Sequence, residues 1–194
     1  MSYLFAPERF EADGFVLRSY EVGDGALLAE AHNESYEHLR PWMPWATPRI
    51  SVRDAERVAR QARGRYLLCQ DFTVAILTND GQRLLGGTGF HLREGALETG
   101  SAEIGMFIRQ SEAGRGLGTR VLSAMLAWGF GEWPWMRLSW RCDQRNQASL
   151  RVAEHAGLRH EGVLRGEKDV VGAGRRDTAC YGLTREEWLE RQLD

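Results

Sequence analysis

Apolar and polar positions along the chain change period several times, and each change marks an element. Phe15-Val16-Leu17 is a short apolar run that predicts a first strand. Asp24 then stands where a helix N-cap would, before a pattern that runs to about Leu39 with Leu27, Leu28, Ala31 and Ser35 on one face. Pro41 stops that helix, and Pro41-Trp42-Met43-Pro44-Trp45 reads as a loop carrying two large aromatic side chains. Ser51-Val52-Arg53-Asp54 resembles a capping box with Asp in place of Glu, followed by Ala55, Val58, Ala59 and Ala62 at helical spacing. Two strands, Asp71 to Leu77 and Arg83 to Leu92, flank the turn Asn79-Asp80-Gly81, and Ala102 to Ile108 is a further strand.

Beyond this point longer helical periods return. Leu117, Val121, Leu122, Met125 and Leu126 share one face of a helix over Leu117 to Phe130, which Gly129, Gly131 and Pro134 should end. Met136 to Cys142 is a strand. Asn146 caps a short helix through Ala156, with Gly157 at C′ and Leu158 beyond. Gly162 to Leu164 and Ala179 to Leu183 are late strands, and Thr184 to Leu193 a charged terminal helix or tail. The sum is an α+β fold, with a mixed, mostly antiparallel sheet and helices on both of its faces.

Composition narrows the class. The 194 residues, 43% hydrophobic and 27% charged, make one ordinary domain over residues 1–194, and no Pro/Ser-rich linker divides them. A net charge of −2 argues against nucleic acid as a direct partner. Cys69, Cys142 and Cys180 are too widely spaced for a disulfide framework or a zinc signature, and the five histidines show no paired-ligand spacing, so no metal is expected. Met1 to Phe10 lacks a secretory leader's pattern, and the best apolar stretch, Val121 to Phe130, is about half of the ~20 residues a membrane span needs. The expectation is a cytoplasmic protein without a membrane partner.

The stretch richest in chemistry is Ala113-Gly114-Arg115-Gly116-Leu117-Gly118-Thr119, between a strand and an amphipathic helix. Glycines at alternate positions let the backbone curl and aim successive N–H groups at one point. The helix start adds its own unsatisfied amides and the positive end of its dipole, and Arg115 and Arg120 add charge. Such a turn can hold a pyrophosphate. No Walker A lysine follows, and the dinucleotide fingerprint fails at Thr119. The bland alternative is a tight turn with no ligand.

Ala102-Glu103-Ile104-Gly105-Met106-Phe107-Ile108, the glycine turn, and Asn146-Gln147-Ala148-Ser149 before Gly157-Leu158 resemble the core motifs of the GNAT superfamily of N-acetyltransferases. Within it the chain is similar to the ribosomal-protein N-terminal (RimJ/RimL-like) branch, through Leu39-Arg40-Pro41-Trp42-Met43-Pro44-Trp45, Glu161-Gly162-Val163-Leu164-Arg165, and Asp177 followed by Tyr181. The likeness runs from Phe15 to Trp188, with two departures. Ala113 stands where the superfamily's turn opens with Gln or Arg, and Ala153 where many members carry a tyrosine acid.

The resemblance implies acetyl-CoA as co-substrate, bound at Met106, Phe107, Ile108, Ala113, Gly114, Arg115, Gly116, Gly118, Thr119, Asn146 and Ser149. It implies a GNAT fold whose central strand pair splays, exposing amides of Met106 to Ile108 to the pantetheine arm and to the oxyanion. Glu103 is the leading general base, though it could instead only pair with a nearby arginine, and Glu167 is the second choice. Ser149 is placed to donate a hydrogen bond to the leaving thiolate. Trp42 and Trp45 are candidates for the acceptor site, or plugs between the first helices and the sheet. The acceptor is expected to be a peptide N-terminus. Open alternatives are a small amine (an antibiotic, a polyamine or an aminoacyl nucleotide), a CoA-binding regulatory module with weak activity, and assembly as a homodimer.

Overall fold

The structure, a computed structural model, describes residues 4–93, 95, 97–170 and 174–193. They fall into two compact units: Met1–His91 with Met106–Leu117, and Leu92–Gly105 with Gly118–Asp194. The chain passes between the units at the end of one strand, inside another and near the start of one helix.

In the first unit, β1 (Arg9–Ala12), β2 (Phe15–Ser19), β3 (Phe72–Leu77) and β4 (Leu84–His91) form an antiparallel run, with Val16 opposite Leu77 and Val74 opposite Thr88. The helices α1 (Gly25–Leu39) and α2 (Val52–Leu67) pack on it. Their core joins Leu28, Ala29 and Ala31 of α1 to Ala55, Ala59 and Ala62 of α2 and to Val16, Ala75, Leu77 and Leu84 of the strands. Small side chains let the helices approach closely: a Cβ on Gly25 would lie 2.6 Å from the Glu56 backbone. Val58, predicted inside, is 44% exposed, and Tyr66 completes the buried stripe instead. Leu27 only flanks the core.

Asp24 precedes α1 as predicted, but its side chain does not cap it. Arg18 takes both carboxylate oxygens, at 2.7 and 2.8 Å, and the Glu21 amide adds a third bond. The first amide of the helix, Gly25 N, and that of Gly23 just before it are satisfied from α2, where Glu56 accepts both. Ser51 caps α2 as expected, accepting from Asp54 N at 3.1 Å.

In the second unit, the first residues of β5 (Ser101–Ile108) pair in parallel with β6 (Arg137–Asp143), while β6–β8 and β7–β8 are antiparallel. The late strands are much longer than predicted: β7 is Arg159–Val170 and β8 Gly174–Thr184. Helix α3 (Leu117–Gly131) buries Val121, Leu122, Met125 and Leu126, and runs through Gly129 rather than ending there. Trp133 and Trp135 stack at 5.8 Å and are buried, a structural role. Helix α4 (Gln147–His155) follows its Asn146 cap, and Thr184 and Glu187 form a full capping box for α5 (Arg185–Glu190). Among the described residues no helix is long and apolar enough to cross a membrane, and no group of three or more potential metal ligands gathers.

Candidate active site

The parallel β5–β6 ladder lasts only three pairs, ending at Glu103 opposite Ser139. Past that pair the strand register of Trp140 to Asp143 of β6, among the described residues, is with β8. This is where the strand pair opens, and it puts Glu103 at the fork. β5 itself continues through Met106, Phe107 and Ile108, all half-buried, into the first unit. There it lies so close to β4 that a Cβ on Gly86 would sit 2.2 Å from the Phe107 carbonyl oxygen.

After Ile108 comes a single 3-10 turn (Gln110–Glu112), then Ala113 to Gly116, then α3. Gly114 and Gly116 have φ of 75° and 77°, so two of the three predicted glycines do require left-handed backbone. Gly118 lies inside the first turn of α3 and serves only by lacking a side chain. Nothing lies within 4 Å of a Cβ built on Gly114 or Gly116, so the turn's glycines face open space. Arg115 is exposed, 4.0 Å from Glu112, and Ala113 and Thr119 are half-buried.

What holds this turn still was not foreseen. Arg109, 4% exposed, donates from Nε to Glu34 at 2.6 Å and from Nη2 to Glu30 at 2.5 Å. Ser111 N donates to Glu34 at 3.1 Å, Gln110 N to Ser35 Oγ at 3.0 Å, and Arg109 N to Leu85 O at 2.8 Å. Arg83 pairs with Glu112 and donates to Ser111 Oγ at 2.8 Å. Residues 109–112 are thus strapped to α1 and β4. The only sequence signal was Glu30 and Glu34 at i,i+4 on one helix face.

The Arg109 guanidinium and the Ser111 hydroxyl hold the Glu34 carboxyl at about 2, against an ordinary 4.5. A depressed folded-state value contributes stability above the unfolded value and loses it as pH falls. Glu34→Gln should therefore flatten the acid limb of stability between about pH 4.5 and about 2. With a side chain one-third exposed, the loss at neutral pH should be roughly 1–2 kcal/mol. Urea midpoints across that range check this; parallel curves for variant and wild type would contradict it.

Trp45 is 49% exposed and meets the Phe107 ring edge-on at 5.5 Å, with His32 on its other side at 5.8 Å. His32 is held in turn by the Thr47 carbonyl at 2.9 Å. Trp45 is therefore a wall beside the β5 backbone. Trp42 is half-buried, its amide bonded to Leu39 O.

In the second unit the Glu103 side chain, 4% exposed, is ion-paired with Arg93, whose own side chain is 52% exposed. Glu167 accepts from Thr178 Oγ1 at 2.7 Å, with Arg141 at 4.0 Å. Burial raises its carboxyl, but the Thr178 bond and the charges of Lys168, Arg141 and Arg176 outweigh that and hold it below the ordinary range. Asn146 Oδ1 accepts from Ser149 N at 3.1 Å, and Ser149 Oγ accepts from Trp140 Nε1 at 3.1 Å. That indole bond was not foreseen. It fixes the hydroxyl oxygen, and the hydroxyl also bonds with the Cys142 thiol, which burial nonetheless pushes up. Ala153 is fully buried one helical turn on.

The profile of the acetyltransferase (GNAT) domain family matches residues 15–159. YjcK, a probable N-acetyltransferase of Bacillus subtilis, is 31% identical over 104 residues, 53% of this chain and 56% of that protein, so the chain covers little more than half of that relative's length. Among solved structures, RimL, a ribosomal L7/L12 alpha-N-protein acetyltransferase in complex with coenzyme A, is similar with a TM-score of 0.82 at 17% identity, covering 93% of this chain and 99% of that one. RimJ of Mycobacterium smegmatis, in complex with CoA-disulfide, is similar with a TM-score of 0.78 at 25% identity, covering 89% of this chain and 83% of that one.

Proposed function

Since the chain belongs to the acetyltransferase (GNAT) family, we propose that it moves the acetyl group of acetyl-CoA to the N-terminal α-amine of a protein or peptide. The observation that carries this reading is the paired left-handed glycines Gly114 and Gly116 at the start of α3, directly after the strand Met106 to Ile108. The curled amides and the helix start suit the CoA pyrophosphate, with Ala113, Gly118 and Thr119 in the same segment and Arg115 adding charge. The backbone groups of Met106, Phe107 and Ile108 suit pairing with the pantetheine amides.

In the reaction the neutral amine attacks the thioester carbon, forming a C–N bond. Its proton passes to Glu103, directly or through water. A β5 amide donates to the oxyanion. The C–S bond then breaks, and Ser149 donates a hydrogen bond to the departing sulfur, which leaves as the thiol once protonated. Asn146 keeps α4 capped and so keeps Ser149 in place. The Trp45 ring beside Phe107 suits an extended acceptor chain as a flat wall. The alpha-N-protein acetyltransferase RimL supports the peptide assignment.

The test is incubation with acetyl-CoA and peptides that differ in their first residue and carry an internal lysine. Fragment masses should place the acetyl group on the α-amine. Acetylation only of lysine side chains, or only of small amines, would overturn the reading.

A further inference from the structure

A cavity of about 240 Å³ opens in the second unit where the β6–α4 connector meets the start of β8, lined by Asp143, Gln144, Arg145, Arg175, Arg176 and Asp177. Three guanidiniums against two carboxylates leave one positive charge in its wall. Pairing within the wall leaves that surplus on Arg175 and Arg176. Arg145 grips both oxygens of the buried Asp143, at 3.0 and 2.8 Å, so this pair neutralises itself. Asp177 already accepts the Gly166 amide at 2.7 Å. Arg175 donates to the carbonyls of Gly166 and Glu167, which hold its plane but supply no formal charge.

Arg176 is the informative member. Its Nε is buried and has no hydrogen-bond partner among the described residues. Leaving a guanidinium N–H dry and unmatched is unfavourable. Across the hairpin Arg176 stands in register with Lys168, a like charge directly opposite, which is unfavourable and is offset in part by the carboxylates of Glu167 and Asp143. An anion in the cavity would relieve both. The cavity is smaller than the ~300–1,000 Å³ usual for a whole small-molecule ligand. It has the size for one side chain of a larger partner.

Its place in the chain says which partner. Arg145 precedes Ser149 by four residues, so their Cα atoms are at most about 14 Å apart. An extended peptide covers the same distance in about four residues. We propose that this cavity is an acceptor subsite that takes the carboxylate of an Asp or Glu within about the first four residues of the substrate peptide, making acidic N-termini the preferred substrate class. The inference rests on the acetyltransfer reading and on Ser149 marking the reacting end.

The test is kcat/KM on peptides sharing one first residue and carrying Glu, Gln or Lys at the second, third or fourth position. At low salt, the best Glu peptide should exceed its Gln counterpart by at least about tenfold, the scale of one charge-assisted hydrogen bond, and Lys should be poorest. Arg176→Gln should erase that preference while leaving turnover of the Gln peptide and the affinity for acetyl-CoA unchanged. Arg175→Gln should reduce the preference, and thermal melts should show both variants folded. Equal rates on Glu and Gln peptides, with robust turnover of both, would remove the subsite and leave the acetyltransfer reading intact. Weaker acetyl-CoA binding in Arg176→Gln, without a change in peptide preference, would assign the arginine to the cofactor's phosphates and overturn the proposal. Failure to acetylate any peptide would remove both readings together.

Discussion

Replacing Gly116 with valine is expected to weaken acetyl-CoA binding by about a hundredfold while the protein still folds. The two halves of that statement have separate causes. Gly116 sits at a φ of 77°, where an L residue is strained by roughly 1–2 kcal/mol and a β-branched one is least tolerated. Open space surrounds the site of a new Cβ, so no core contact is lost and the damage to the fold stays local. The same open space is where a pyrophosphate would lie against the amides. A valine either occupies it or relaxes φ and turns the amides away. Losing two such charge-assisted bonds corresponds to about 2.7 kcal/mol, or a hundredfold in Kd. Calorimetry with acetyl-CoA, beside a melting curve of the same sample, checks both halves. Unchanged affinity in a folded variant would remove the turn from the site. Gly118, ordinary in its helical backbone, should tolerate alanine far better.

Glu103→Gln is expected to lower kcat by about a hundredfold with acetyl-CoA affinity nearly unchanged, the effect of removing a positioned base. The ion pair with Arg93 complicates the reading, because a carboxylate that only anchors an arginine would also matter when lost. Arg93→Gln separates the roles. If Glu103 is the base, removing Arg93 leaves most of the turnover; if it is only an anchor, the two variants lose activity alike. Arg93 is half exposed, so water can solvate it when its partner is neutral and Glu103→Gln should not unfold the protein, whereas Arg93→Gln leaves the buried Glu103 carboxylate without its cation, so a melting curve accompanies that variant. A hundredfold loss in Glu167→Gln instead would move the base to β7.

Much of this architecture was legible because its signals are local. The Asn146 cap, the Ser51 cap, the Asn79-Asp80-Gly81 turn and the glycine turn each depend on residues within a few positions, and each is found where predicted. What was missed depends on residues far apart. Asp24 looked like a cap, but Arg18 reaches it first and Glu56 of α2 serves the helix in its stead. Arg109 and Glu34 are 75 residues apart. β1 went unseen because Arg9-Phe10-Glu11-Ala12 alternates too weakly, and it is an edge strand with one neighbour. The β7–β8 hairpin looked like two short strands because its outer part is charged, with Lys168, Asp169, Arg175 and Arg176 facing each other across the ladder. Periodicity reports burial, and a strand paired by its backbone alone leaves little of it to report.

Of the proposed catalytic set, residue types and backbone demands could be read, whereas partners could not. The wall of Trp45 against Phe107 joins a proline-rich loop to a strand 62 positions later. The indole of Trp140 on Ser149 joins a strand to the helix after it. Both contacts come from the fold, so no spacing rule could have found them.

The central claim is that acyl-CoA is held by the backbone of Met106 to Ile108 and of the turn from Gly114 to Thr119. Amide hydrogen exchange, with and without saturating acetyl-CoA, tests it most directly. The account predicts the strongest new protection in those two stretches and the first turn of α3, a smaller effect at the start of α4 beside Ser149, and little change in α1 or in β1 to β3. Saturable binding that leaves those amides exchanging as before, or that protects a different segment, would contradict it.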